Sequence, residues 1–340
     1  MDTTDSNTQI FEEKHPPVKE EGPLIFAKVL NEKGGALSHS ELSDTFNTKN
    51  PMWLHFDANH FDTVNTIRQA CPDIDEYTLQ AIIDEDARPR LLQLDNGVLI
   101  ILRGINHNTG EEPEDMVAVR FWITDKRLIS LRYRKSLALM AVSDKLDQGR
   151  GPKNIGDIFA SISALLFSYI ENTISQLEDN MDDLESRIVD EPDRTLRQDI
   201  AHVRKSAILL RRYIAPQKEV MSRLRYSEIS WLNTKNLRRV QETQDTILRC
   251  IEDLDAVRER SQIVKDELVN ALSDKLNRNL YVISVVTAIF LPLGFLTSLF
   301  GINIGGMPGV NSDEAFALFS LGLVAIIIVQ ILLFKHFKWF

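Results

Sequence analysis

The 340-residue chain is 44% hydrophobic and 26% charged, which fits one or two packed domains and excludes a disordered or fibrous protein. Its 49 acidic residues outnumber 39 Lys and Arg for a net charge of -10, which argues against non-specific nucleic-acid binding and for attraction of cations. Two cysteines, Cys71 and Cys250, stand too far apart for a metal or redox motif and read as free thiols of a reducing compartment.

Residues 1–21 are polar and acidic, without the basic and apolar regions of a signal peptide, and are expected to form a disordered tail. Residues 22–150 read as an α+β domain with a mixed or largely antiparallel sheet. Strands are expected at Leu24–Leu30, Met52–Asp57, Arg90–Leu94, Val98–Ile105, Met116–Thr124 and Arg127–Tyr133, with an Asp95-Asn96-Gly97 hairpin turn. Helices are expected at Phe61–Ala70, at Asp75–Asp84 under an Asp73 or Asp75 cap, and at Ser136–Asp147. The domain has neither a dinucleotide-binding glycine fingerprint nor a phosphate-binding loop. His55, Asp57 and His60 resemble part of a hydrolytic metal set, but His60 lies beyond the strand end, and exposed polar residues are the simpler expectation. The chain does not read as an enzyme.

Beyond the Gly149–Gly156 break the pattern turns helical. Residues 151–233 read as an antiparallel helical hairpin, with apolar residues spaced by three and four from Ile158 to Ile188 and a turn at Glu191-Pro192-Asp193. Nine acids and one base, Arg187, lie between Glu171 and Asp193, which reads as a solvated face and, alternatively, as a collector of divalent cations. Between Gln217 and Leu291 there is no Gly or Pro, so a helix capped at Asn233 or Thr234 can run over residues 234–300, about 100 Å at 1.5 Å per residue. Ile247, Ile251, Leu254, Leu268, Leu272, Leu276 and Leu280 are expected as its buried stripe.

Tyr281–Phe300 and Ala315–Phe334 are uncharged apolar runs of twenty residues each, long enough to cross a bilayer as helices. The connecting loop, residues 301–314, has no Lys or Arg and carries Asp313 and Glu314. Lys275 and Arg278 precede the first run; Lys335 and Lys338 lie in the basic, aromatic tail 335–340. Both termini are therefore expected in the cytoplasm, with the loop outside. Asn277, Leu280, Ser284, Thr287, Leu291 and Gly294 form one stripe of the first run. Small and hydroxyl residues there suit a water-filled pore and equally suit tight helix packing, so periodicity leaves both open. Pro292 and Gly294 permit a bend. Two helices cannot enclose a pore, so a channel requires a ring of subunits, with every Asn303 at the outer mouth. A carboxamide is a weak neutral acceptor, suited to a hydrated cation.

Gly301-Ile302-Asn303 between two apolar helices at the end of a long helix resembles the CorA superfamily of divalent metal ion transporters, whose signature there is Gly-Met-Asn. The Ile302 form, followed by Ile304-Gly305-Gly306-Met307-Pro308-Gly309-Val310, is similar to its zinc-transporting ZntB branch. So are Arg88-Pro89-Arg90, Pro113-Glu114-Asp115-Met116-Val117, Leu210-Arg211-Arg212-Tyr213-Ile214-Ala215-Pro216, Glu252-Asp253-Leu254-Asp255 and Ile289-Phe290-Leu291-Pro292-Leu293-Gly294-Phe295-Leu296. The resemblance implies a homopentameric funnel in the bacterial inner membrane, with the first membrane helix lining the pore. It implies hydrated Zn2+ held at Asn303, no cofactor beyond the transported ion, and only lipid, divalent cations and copies of itself as partners. The resemblance implies transport in either direction, with proton coupling for uptake; inward flow of a divalent cation down an inside-negative potential makes uptake the expected direction, and a Mg2+, Co2+ or Ni2+ channel and zinc efflux are the alternatives. A membrane-anchored helical scaffold without conduction is the competing class. Where the family carries a loop Glu this chain has Gly309, and its loop acids come later, at Asp313 and Glu314.

Overall fold

The computed structural model describes residues 22–31, 33–39, 50–85, 88–301 and 313–336. They divide into two compact units: residues up to Ser186 with Arg197–Val264, and Arg187–Leu196 with Lys265 onward.

The first unit is built on a seven-stranded sheet, ordered β2-β1-β3-β7-β6-β5-β4. Its strands are β1 (Leu24–Leu30), β2 (Ala36–His39), β3 (Met52–Asp57), β4 (Arg90–Leu94), β5 (Gly97–Gly104), β6 (Val117–Ile123) and β7 (Arg127–Arg132). β3 and β7 run parallel and every other pair antiparallel, so the sheet is mixed and largely antiparallel. β2 was not among the expected strands: Ala36-Leu37-Ser38-His39 is too short and polar to signal itself, and its pairing with β1 makes it a strand. The hairpin between β4 and β5 closes on Leu94 opposite Gly97, so its turn is Asp95-Asn96 and Gly97 already belongs to the strand. A Cβ on Gly97 would lie 2.7 Å from the Trp122 ring and 2.9 Å from the Ile123 carbonyl, which reserves the position for glycine.

One sheet face carries α1 (Thr63–Ala70) and α2 (Glu76–Ile83) over a core of Leu54, Phe56, Ile67, Leu79, Ile82, Leu99, Ile101 and Trp122. Asp75 is the cap of α2, accepting from the Thr78 N–H at 2.8 Å. The other face receives α4 (Ile155–Asp190), with the Phe159 ring edge-on to Phe121 at 5.5 Å. Because helices cover both faces, β6 is buried at every residue. α3 (Leu137–Asp147) docks through buried Lys28, which donates to the Ser143 carbonyl at 3.0 Å and pairs with Asp147 at 2.6 Å.

α5 (Leu196–Tyr226) is fixed to the sheet by fully buried Gln217. Its carboxamide accepts the Arg103 N–H at 2.9 Å and donates to the Arg103 carbonyl at 3.1 Å, satisfying both backbone groups of one β5 residue. α6 (Thr234–Gly301) is a single 68-residue helix, and Asn233 caps it by accepting the Asn236 N–H at 2.9 Å. In the first unit its buried line is Val240, Thr243, Ile247, Cys250, Leu254, Val257, Ser261 and Val264, a strict alternation of three- and four-residue steps. That is a heptad seam. Of the expected stripe, Leu276 and Leu280 are exposed by 58% and 52%, so the line does not run to them. The expectation left out Val240, Thr243, Cys250, Val257, Ser261 and Val264, and included Ile251, which is only half-buried. Thr243 and Ser261 are buried because their hydroxyls return to the Arg239 and Val257 carbonyls at 2.9 and 2.6 Å. α4 binds the seam's flank through Arg260, which Asp182 and Glu185 both engage, while α5 contributes the Arg211–Asp255 pair at 2.7 Å. Part of the acidic run is thereby committed to packing.

The His55, Asp57 and His60 expectation is corrected. His55 is fully buried rather than exposed, because pairing of β3 with β7 sets its Nδ1 2.8 Å from the Ser130 hydroxyl. Asp57 instead accepts from Asn59 at 2.9 Å, and His60 Nδ1 accepts the Asp62 N–H at 3.2 Å. Burial, aided by the Arg132 charge, pushes the His55 pKa from 6.5 down to about 3.

Two outcomes follow from this packing. Gln217→Ala removes the two buried hydrogen bonds between this carboxamide and the Arg103 backbone and lowers stability by about 3 kcal/mol in chemical denaturation. For His55 the unfolded chain takes up a proton below pH 6.5 that the folded chain refuses until about 3. Stability is therefore full above pH 6.5 and falls through that window by up to about 1.4 kcal/mol per pH unit. His55→Gln, unfolded across the same window, loses that part of the slope.

Candidate functional site

The second unit contains α6 from Lys265 onward and α7 (Ala315–His336), and the Tyr281–Phe300 end of α6 and the body of α7 up to Phe334 carry no charged residue. None of the α7 residues is buried, and Phe316, Leu318 and Leu321 are exposed by 82%, 75% and 69%. Among the described residues three helices are long and apolar enough to cross a membrane: α4, α6 and α7. α4 differs from the others because half of its apolar window is buried, with Ile158, Phe159 and Ile162 fully so. The apolar ends of α6 and α7 lack such cover and have the all-round character of lipid-embedded helices.

α6 nevertheless has two distinct faces here. Val285, Ala288, Ile289, Pro292, Leu293 and Leu296 are its buried or half-buried residues, and they share one side. This is the side toward α7: Gln330 of α7 donates to the Ala288 carbonyl at 3.2 Å, and Phe300 meets Phe319 at 5.0 Å between ring centres. Pro292 falls within it, where a neighbouring helix covers the backbone that proline disrupts. Asn277, Leu280, Ser284, Thr287, Leu291 and Gly294 are all exposed and lie on the side away from α7. At 100° per residue the centres of the two faces are about 140° apart. A Cβ on Gly294 would meet nothing within 4 Å. The Thr287 hydroxyl donates to the Ile283 carbonyl at 2.8 Å, so its oxygen remains on the open face as an acceptor.

Gly301 is the last residue of α6. Ile302 and Asn303 lie outside the described residues. Asp313 and Glu314 are exposed and lead into α7, where the Glu314 carbonyl accepts the Leu318 N–H at 3.0 Å and so opens the helix. Carboxylates at that end oppose the positive end of the α7 dipole. Gln330 is the one strongly polar residue of the Ala315–Phe334 run, and its role as a polar fastener to α6 is visible only in the structure. Along the open stripe there is no Cys, His, Asp or Glu, so the face can present weak oxygen acceptors but no tight tetrahedral site.

Comparison with known proteins now bears on this arrangement. Residues 48–336 match the family model described as CorA-like Mg2+ transporter protein. The zinc transport protein ZntB of Yersinia enterocolitica is 35% identical over 315 residues, covering 93% of this chain and 95% of that protein. The solved structure of the full-length CmaX protein superposes with a TM-score of 0.79 at 30% identity, over 94% of this chain and all of that one. The complete structure of the CorA magnesium transporter from Methanocaldococcus jannaschii shares the fold, with a TM-score of 0.76 at 18% identity over 93% of this chain and 98% of that one. A match over most of the chain, with α6 and α7 included, establishes that this multi-pass membrane protein belongs to the CorA family and is closely related to its ZntB branch.

Proposed function

We propose that the chain moves hydrated Zn2+ across the bacterial inner membrane through a pore built by a ring of subunits, each contributing the open face of α6. The observation that carries this reading is the division of α6 into two faces. The apolar side is occupied by α7, and the side with Asn277, Ser284, Thr287 and Gly294 is left for something other than α7. Hydroxyl and carboxamide groups facing lipid are costly, whereas facing water they are hydrated. One helix per subunit cannot surround water, so copies of the chain close the pore. The number of copies, five, and the placement of Gly301-Ile302-Asn303 at the outer mouth rest on the family resemblance. Asn303 there meets the ion through its water shell, and Asp313 and Glu314 raise the local cation concentration.

In this reading α6 and α7 are the two membrane crossings and α4 belongs to the cytoplasmic domain. Basic residues at Lys275, Arg278 and Lys335 keep both termini inside. Zinc as the cargo follows from the ZntB relation together with Ile302, and a weakly liganding pore suits transit of a hydrated ion rather than capture. Inward movement of a divalent cation gains roughly 4.6 kcal/mol per 100 mV of inside-negative potential, so uptake requires no ATP. The two apolar runs contain no His, Asp or Glu, so any proton coupling involves groups outside them.

Purified protein in liposomes tests the reading. Zn2+ accumulation is expected to rise with an inside-negative potential and to respond to a pH gradient; accumulation indifferent to both contradicts it. Asn303→Ala is expected to reduce flux at least about tenfold. Ser284→Leu, which enlarges an exposed side chain of the stripe, is expected to block it. Unchanged flux in both variants removes the conduction path from this face, and wild-type flux no greater than that of protein-free liposomes favours a membrane-anchored scaffold instead. Mg2+, Co2+ and Ni2+ competing as well as unlabelled Zn2+ would move the cargo to the broader CorA set.

A further inference from the structure

Away from α6 and α7, Glu112, Glu114 and His202 meet in the first unit, with one donor atom from each within 4.8 Å of the others. The carboxylates come from the loop between β5 and β6, and the imidazole comes from α5. Pro113 sets the dihedral of a tight turn closed by the Asp115 N–H on the Glu112 carbonyl at 3.1 Å. Buried Asn106 fixes the loop from beneath, donating to the Asp115 carbonyl at 3.1 Å and accepting the Asn108 N–H at 3.0 Å. Arg134 takes up the neighbouring Glu111 at 3.0 Å.

Glu114 is the unusual member. It is only 7% exposed, and among the described residues its side chain has one partner, the Ser206 hydroxyl, which donates to Oε1 at 2.8 Å. No Lys or Arg pairs with it there. A neutral hydroxyl does not offset the cost of a buried carboxylate, and Glu112 beside it adds a second negative charge. A single divalent cation cancels both charges. The donor set also selects the kind of cation: one imidazole nitrogen with two carboxylate oxygens suits Zn2+ and similar first-row ions, while Mg2+ takes oxygen ligands and water.

We propose that Glu112, Glu114 and His202 form a Zn2+-type binding site separate from the α6 stripe, with Ser206 as the residue that positions Glu114. Three protein ligands leave a fourth, tetrahedral position to water. The ion fastens the β5–β6 loop to α5. The site is independent of the transport reading, because it is measured as bound metal on resting protein and not as flux.

Equilibrium dialysis of the full-length protein in detergent against Zn2+ at micromolar free concentration tests it. The wild type is expected to hold one more Zn2+ per chain than either His202→Ala or Glu112→Gln. Both positions are exposed, so the substitutions leave the fold intact. Ser206→Ala is expected to weaken the same binding about tenfold, and excess Mg2+ should leave the ion in place. Equal stoichiometry in the wild type, His202→Ala and Glu112→Gln overturns the proposal, as does ready displacement by Mg2+.

Discussion

An isolated helix cannot shelter its own side chains, and a 68-residue helix therefore has to be given a neighbour along every turn that carries apolar or small residues. α6 meets this constraint differently in its two compact units. In the first, the three-four seam from Val240 to Val264 is covered, and Arg260 and Asp255 fasten its flanks to α4 and α5. In the second, Val285, Ala288, Ile289 and Leu293 turn to α7, and the opposite side has no partner among the described residues of the chain. A transporter needs a surface of that kind, because the wall of a shared pore can be neither filled by its own subunit nor given to lipid.

Electrostatics follow the same division. The acids between Glu171 and Asp193 are not simply a negative cloud, since Glu171, Asp182 and Glu185 pair with arginines of α6. Exposed pairs of this sort contribute little each, but Arg260 held by two carboxylates also fixes which face of α6 meets α4. Its guanidinium is held even more firmly in the charged form than usual by the Glu185 and Asp182 hydrogen bonds. By contrast the apolar runs of α6 and α7 contain no charge at all, and one carboxamide, Gln330, is the polar link between them. In an apolar medium such a bond fixes rotation and register more than it adds stability.

Much of this could be read from the residues in order, and the failures have physical causes. Strands β1, β3 and β4 were legible because alternation and punctuation by Gly, Pro and Asn are local signals. The stripe with Ser284 and Thr287 was read from helical periodicity alone; Thr287 lies about 160° round the helix from Val285, whereas Ser284 stands one turn from Ala288 at the edge of the packing face. The seam was misread in its register: a four-residue step from Ile247 to Ile251 missed the alternation of threes and fours through Val240, Cys250, Val257 and Val264, and Thr243 and Ser261 are buried through bonds back to their own helix that hydropathy does not signal. His55 looked exposed because nothing local announces the parallel pairing with β7 that buries it. Gln217 was missed as a fastener and Glu114 as a partner of α5 for a related reason: each acts on residues about a hundred positions away.

The central claim is that the face of α6 turned from α7 lines a water-filled pore, and cysteine accessibility tests it most directly. Cys71 and Cys250 are both buried, so the native background is low. Ser284→Cys, Thr287→Cys and Val285→Cys proteins in liposomes would be treated with a charged, membrane-impermeant thiol reagent during Zn2+ flux. The account predicts modification and block at positions 284 and 287 and neither at 285. Protection of 284 and 287, or equal labelling of all three positions with flux unaffected, would contradict it.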